Sequence, residues 1–229
     1  MIQPVLVSSA RGDEDLAQLA APLDLDGLVE GSGAWEVEIG FGKGRYLLRR
    51  AMECPGRRFV GIELVSEYQQ ILVSRARRRG LRNWMAVRGE ALYLLSAVLP
   101  AGFASVVHVY FPDPWPKSRH HKRRLFDPES VDLVLGLLAV GGKICFATDF
   151  LDYGENVAAI LADIPELELT RRPEVWEDGA RTNYEDKYIR EGRPILRLEG
   201  RLHSPLLPPR TLLEVAGGLE DVADPMPMS

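Results

Sequence analysis

The chain has 229 residues, 46% of them hydrophobic, which is enough to bury the core of one α/β domain and short for two. Cys54 and Cys145 sit in apolar surroundings and read as reduced core residues; there is no metal-ligand spacing of Cys and His, no secretion leader and no apolar run near the ~20 residues of a membrane span, so the expectation is a cytoplasmic protein without metal or membrane. The net charge of −5 argues against a nucleic-acid partner until it is divided: residues 1–33 carry −5 and 204–229 carry −3, leaving +3 on 34–203, with dense positive runs at 75–79 and 117–124 of the kind that binds phosphate.

From Trp35 onward, strand and helix patterns alternate. Trp35–Ile39 reads as a short apolar strand ending in a glycine-rich turn, followed by a helix from Arg45 to Met52 and a strand over Phe59–Ile62. Ser66 to Gln69 has the form of a capping box opening a helix that Gly80 closes. Trp84–Val87 gives a third strand, Leu92–Leu99 a third helix and Ser105–Phe111 a β-branched strand buried on both faces. Asp127-Pro128 has the chemistry of a helix start, with Gly141-Gly142 as its end and Lys143–Ala147 as the fifth strand. Asp152 to Glu155 opens another helix. Glu166–Arg171 and Pro194–Leu202 read as two last strands with no helical pattern between them, which makes them antiparallel edge neighbours. Repeated βαβ units predict a doubly wound, mostly parallel sheet with helices on both faces. Residues 1–33 read as an acidic extension, 34–203 as the domain and 204–229, rich in Pro, Gly and acids, as a loose tail.

Ligands of open α/β sheets bind beyond the C-terminal strand ends. The first strand ends Glu38-Ile-Gly40-Phe-Gly42-Lys-Gly44. Its glycines allow a tight turn and close approach of backbone to ligand, while Glu38 would repel a pyrophosphate but suits the ammonium and sulfonium of S-adenosylmethionine. Glu63, at the second strand end, is placed to accept from both hydroxyls of an adenosine ribose. Glu90, at the third, either accepts from the adenine amino group or complements a helix N-terminus.

The fourth strand ends Tyr110-Phe-Pro-Asp113-Pro-Trp115-Pro-Lys117. Three prolines around one aspartate forbid helix and fix a carboxylate and an aromatic plane at the mouth of the site. The continuation to Arg124 adds positive charge suited to phosphate. Two further polar clusters, Thr148-Asp149 and Thr182-Asn183-Tyr184-Glu185, have no evident packing role and could be site or ordinary loop.

These motifs together resemble the bacterial tRNA (guanine-N7-)-methyltransferases over about 34–203, the Phe111–Lys117 stretch with its basic continuation being the most specific part. The resemblance implies a Rossmann-like class I methyltransferase with a seven-stranded sheet and an antiparallel last strand. Its implied activity is transfer of methyl from S-adenosylmethionine to N7 of a variable-loop guanine, position 46, of tRNA. It implies cofactor contacts at Glu38, Gly40, Gly42, Gly44, Glu63, Glu90 and Asp113, with Asp113 as the catalytic candidate. It implies a tRNA-facing set of Lys117, Asp149, Thr182, Asn183, Tyr184 and Glu185, in a monomer or homodimer. Two departures stand out: Glu90 replaces a shorter Asp or Asn, and Tyr184 replaces a Phe, with Asp186 intervening before Lys187. An exocyclic-amine methyltransferase and a non-catalytic RNA-binding protein are the alternative readings.

Overall fold

The structure, a computed structural model, describes residues 5–16, 23–115 and 124–206. The loose tail expected from 204 onward therefore lies mostly outside the described residues, as does Lys117. The chain begins with a hairpin of β1 (Val5–Ser9) and β2 (Asp13–Leu16) and a single turn, α1 (Leu25–Leu28). Alternation follows: β3 (Trp35–Ile39), α2 (Arg45–Glu53), β4 (Arg58–Glu63), α3 (Ser66–Arg78), β5 (Trp84–Arg88), α4 (Ala91–Ala97), β6 (Ala104–Tyr110), α5 (Val131–Leu135), β7 (Leu138–Thr148) and α6 (Leu151–Ala162). The chain closes with β8 (Leu167–Arg171), α7 (Asn183–Arg190) and β9 (Leu196–Leu202).

All nine strands form one sheet in the order β2-β1-β5-β4-β3-β6-β7-β9-β8. The seven expected strands are all present, and β3, β4, β5, β6 and β7 are parallel, whereas β9 runs antiparallel to both β7 and β8. The order turns back at β3, which has the earlier βα units on one side and the later ones on the other. Such a switch point is where open α/β sheets hold their ligands, beyond the C-terminal strand ends. β3 is buried along its whole length, and Val37, Val60, Val107 and Val109 are sealed from solvent. A β-branched strand covered on both faces is the expected centre of such a sheet.

Four local readings need correction. The acidic extension contributes β1 and β2, which cover the otherwise open edge of β5. Val7 on β1 is buried, and Asp13 pairs with Arg77 at 2.8 Å. The Ser66–Gln69 box does not form: Val65 caps α3, and Gln69 turns inward to donate to the Leu6 and Ala86 carbonyls. Asp127 stops a turn rather than opening a long helix, its Oδ1 accepting from the amides of Glu129 and Ser130 at 2.9 Å, and α5 is short. Gly141-Gly142 lies inside β7, where the β6–β7 register shifts.

The largest departure is α7, a helix between the last two strands where none was expected. Thr182 is its N-cap, its hydroxyl accepting from the Glu185 amide at 3.0 Å, and Glu185 Oε2 accepts from the Arg181 amide at 2.8 Å. Thr182-x-x-Glu185 is thus a helix-start signal that the sequence carried in plain view.

Candidate active site

β3 delivers Glu36 and Glu38 to one face of the sheet, because side chains two apart share a face. Glu38 is 5% exposed. The Leu47 amide hydrogen-bonds it, yet Oε2 has no partner. Burial, with the charge of Glu63 adding to it, pushes its carboxyl up to about 8. A buried carboxylate oxygen without a donor is costly unless a cation reaches it.

The glycine loop begins two residues later, at Gly40. Gly40 (φ +75°) and Gly42 (φ +53°) adopt the left-handed conformation that favours glycine, and a Cβ at either position would project into open space. Gly44, the third glycine, has a different task. Its φ is +70°, and a Cβ there would lie 2.5 Å from Leu72 Cδ1, so it lets α2 pack on α3. Glu63 leaves β4 with Oε2 accepting from the Gly42 amide at 2.8 Å and Oε1 accepting from Leu64 and Val65 at 2.8 and 3.0 Å. Glu90 is the N-cap of α4 and accepts from the Tyr93 amide at 2.8 Å, the helix-terminus alternative of the sequence reading.

The loop after β6 carries Asp113 at an exposed tip. Phe111 (φ +52°) and Trp115 (φ +39°) flank it; they are the two non-glycine residues with positive φ among the described residues. Such backbone costs on the order of 1–3 kcal/mol per residue and persists where its surroundings hold it. Here the Phe111 amide donates to Ala147 O at 2.7 Å. Arg124 Nε donates to Pro114 O at 2.8 Å while its guanidinium lies over the Tyr153 ring at 4.8 Å. Arg124, read from sequence as part of a phosphate-binding run, is 7% exposed and clamps this loop instead.

The late cluster divides. Glu185 is fully buried and its Oε1 accepts from Arg197 Nε at 2.7 Å, which makes it a pin between α7 and β9. Asn183 Oδ1 accepts from Arg45 at 2.9 Å, Arg45 being the first residue of α2 after the glycine loop. Tyr184 is 58% exposed. Asp149 lies 3.9 Å from Arg193. Sequence reasoning missed Arg45, Arg193 and a buried chain running Glu36, His108, Tyr110, Arg181. In that chain Glu36 also receives Arg50 and Arg57 at 2.7 Å each, His108 meets Glu36 at 3.1 Å and Tyr110 at 2.8 Å, and Arg181 donates to the Tyr110 hydroxyl. The only early signal was that Glu36 shares the face of Glu38.

Orphaned Glu38 Oε2, the open space above Gly40 and Gly42 and the acceptor pair of Glu63 fit S-adenosylmethionine, which brings two cations and a ribose diol. Residues 33–198 match the family model described as putative methyltransferase. The tRNA (guanine-N(7)-)-methyltransferase of Nitrosococcus oceani is 40% identical over 141 residues, 62% of this chain and 60% of that relative. The enzyme of the same name from Roseobacter denitrificans is 37% identical over 202 residues, 79% of this chain and 84% of the relative. Among solved structures, the 16S rRNA methyltransferase KamB superposes with a TM-score of 0.62 at 15% identity, covering 87% of this chain and 100% of that one, a likeness of fold. The chain therefore belongs to the tRNA (guanine-N(7)-)-methyltransferase family of Rossmann-like, S-adenosylmethionine-dependent methyltransferases.

Proposed function

We propose that this protein methylates N7 of a variable-loop guanine, position 46, of tRNA, giving 7-methylguanosine. The observation that carries the reading is that the neighbouring parallel strands β3 and β6 bear a cation-seeking carboxylate (Glu38) and, on the strained, clamped loop that follows, a second carboxylate (Asp113).

Bound there, S-adenosylmethionine supplies an electrophilic methyl on a positive sulfonium. Glu38 offers its unpartnered oxygen to the cofactor's positive charge, and Glu63 can exchange backbone donors for ribose hydroxyls without losing its own acceptor geometry. Gly40 and Gly42 leave the room for close approach. Guanine N7 presents an in-plane lone pair and carries no proton, so no residue has to act as a base. The remaining tasks are to align the purine, exclude water and accommodate a base that becomes cationic. Alignment alone can be worth ~7–11 kcal/mol in favourable cases. Asp113 can accept from the N–H edge of guanine, and its charge favours the cationic product.

Two measurements test this. Nucleoside analysis of tRNA after incubation with enzyme and cofactor should show 7-methylguanosine; a methyl on an exocyclic amine would overturn the reading. Asp113→Asn should retain tRNA affinity while slowing single-turnover transfer by about 10²-fold or more, and an unchanged rate would remove Asp113 from the chemistry.

A further inference from the structure

α7 presents Tyr184 and Tyr188 one helical turn apart on the same face. Opposite them is Phe111, two residues before Asp113. The Phe111 ring centroid is 5.6 Å from that of Tyr188 and 6.3 Å from that of Tyr184, and the two tyrosine rings are 6.2 Å apart. Three aromatic planes therefore converge beside the strained loop. Their environments differ. Tyr188 is half-buried and already engaged: the Arg193 guanidinium sits 4.7 Å over its ring, and Arg193 is itself held by Glu191 at 2.7 Å and approached by Asp149 at 3.9 Å. Tyr184 has the support of the other two rings but is 58% exposed. A large aromatic side chain braced from behind and open in front is poorly explained by packing alone.

We propose that Tyr184, braced by Phe111 and Tyr188, is a stacking platform for the unstacked target purine, and that it prefers the purine in its cationic, N7-methylated form. The proposal rests on the guanine-N7 reading given above. Its physical basis is general. Aromatic rings stack on bases of any sequence, and an aromatic face attracts a cation more strongly than a neutral plane of the same shape. During transfer the carbon–sulfur bond breaks as the N7–carbon bond forms, and the positive charge moves from sulfur to the base. A ring lying on that base is therefore worth more late in the reaction than early, which raises the rate rather than the affinity. The platform also continues from Phe111 directly into the Asp113 loop, so a base lying on it has its edge toward the carboxylate-bearing segment. Lys187, on the same helix and 6.0 Å over the Tyr188 ring, adds positive charge of the kind that meets the phosphates around a splayed nucleotide.

The test uses the whole protein and two probes, 7-methylguanosine 5′-monophosphate and guanosine 5′-monophosphate, titrated into wild type, Tyr184→Phe and Tyr184→Leu by calorimetry or NMR, without cofactor. Wild type and Tyr184→Phe should bind the methylated nucleotide about ten-fold more tightly than the unmethylated one, and Tyr184→Leu should lose that preference. Equal binding of the two nucleotides by wild type, or a preference that survives in Tyr184→Leu, overturns the platform. In single-turnover assays on tRNA, Tyr184→Leu should slow transfer about ten-fold while tRNA affinity changes less than about three-fold, since phosphate contacts dominate affinity. A thermal midpoint that falls with no change in rate would instead make Tyr184 a packing residue. Because the nucleotide titration does not depend on turnover, a wild type that makes no 7-methylguanosine in tRNA would refute the guanine-N7 reading separately from the platform.

Discussion

The carboxylate of Glu63 lies 2.8 Å from the amide of Gly42, joining the end of β4 to the loop that follows β3. With Leu64 and Val65 also donating to it, the group accepts three backbone hydrogen bonds and donates none. Only an acceptor with two oxygens fits. Glu63→Gln puts an N–H₂ against backbone N–H groups on one side, leaving a donor unsatisfied, which costs about 1–3 kcal/mol. It also spoils the pair of acceptors offered to a ribose. Isothermal titration should therefore show S-adenosylmethionine affinity falling at least about ten-fold, with urea unfolding recording the smaller stability loss. An unchanged affinity would confine Glu63 to loop architecture.

In the proposed binding mode, Glu38 would couple cofactor binding to protons. Its carboxyl is raised from 4.5 to about 8, mainly by burial, so the free protein holds a proton there at neutral pH. A cation arriving at Oε2 favours the charged form and expels that proton. Calorimetry at pH 7 in buffers of different ionisation enthalpy should register release of up to about one proton per S-adenosylmethionine bound, absent in Glu38→Gln. The stability of the free protein follows the same sign. Because the folded state binds this proton more tightly than the unfolded chain, Glu38's contribution is full below about pH 4.5 and is lost as pH rises through about 8. His108 gives the opposite limb: burial depresses it from 6.5 to about 4, against the pull of Glu36, so its contribution is present above about pH 6.5 and is lost as pH falls towards 4. Thermal midpoints measured across pH should flatten on the alkaline side in Glu38→Gln.

Two glycines with nearly the same backbone conformation should fail differently. Gly40→Ala strains a φ of +75°, roughly 1–2 kcal/mol, but its Cβ meets nothing in the protein. The methyl enters the open space proposed for the cofactor, so affinity should suffer more than stability. Gly44→Ala carries the same strain and drives a Cβ to 2.5 Å from Leu72 Cδ1. Overpacking adds about 1–3 kcal/mol, so urea unfolding should show the larger loss here. If Gly44→Ala weakens cofactor binding more than Gly40→Ala does, the division of labour within the loop is wrong.

The central sheet was legible because period and burial coincide there: Val37, Val60 and Val107 repeat the same β-branched, doubly covered chemistry strand after strand. The candidate cofactor face stood out because Glu38 and Glu63 have no packing reason to stand at strand ends. What escaped was decided by partners far away in the chain. The acids of the first 16 residues look like a solvated extension until Arg77, 64 positions from Asp13, is brought alongside. α7 has few apolar residues and a helical pattern too polar to see, because its inward face holds Glu185 rather than a leucine. Arg124 looks like one more cation in a basic run, yet it spans back to the carbonyl of Pro114 to hold the Asp113 loop. In each case a charge reads as solvent-seeking locally and is used as a tertiary tie.

Glu185 is the sharpest case, because resemblance assigns it to the substrate and geometry gives it a structural partner. The Glu185–Arg197 pair is 2.7 Å apart, with side-chain exposures of 0% and 5%, and Glu185 also accepts from the Arg181 amide. Removing one member of such a pair strands a buried charge and typically costs about 3–5 kcal/mol. Glu185→Ala should thus lower the urea midpoint strongly and displace α7, carrying Tyr184 and Thr182 with it. Transfer would fall for that reason, so rate alone cannot separate the roles. The double variant Glu185→Leu with Arg197→Met removes both charges and fills the space with apolar groups. It should recover most of the lost stability. If Glu185 serves only to seat α7, transfer to tRNA should recover in parallel. Recovered stability with transfer still lost would show that the carboxylate, buried as it is, reaches the substrate.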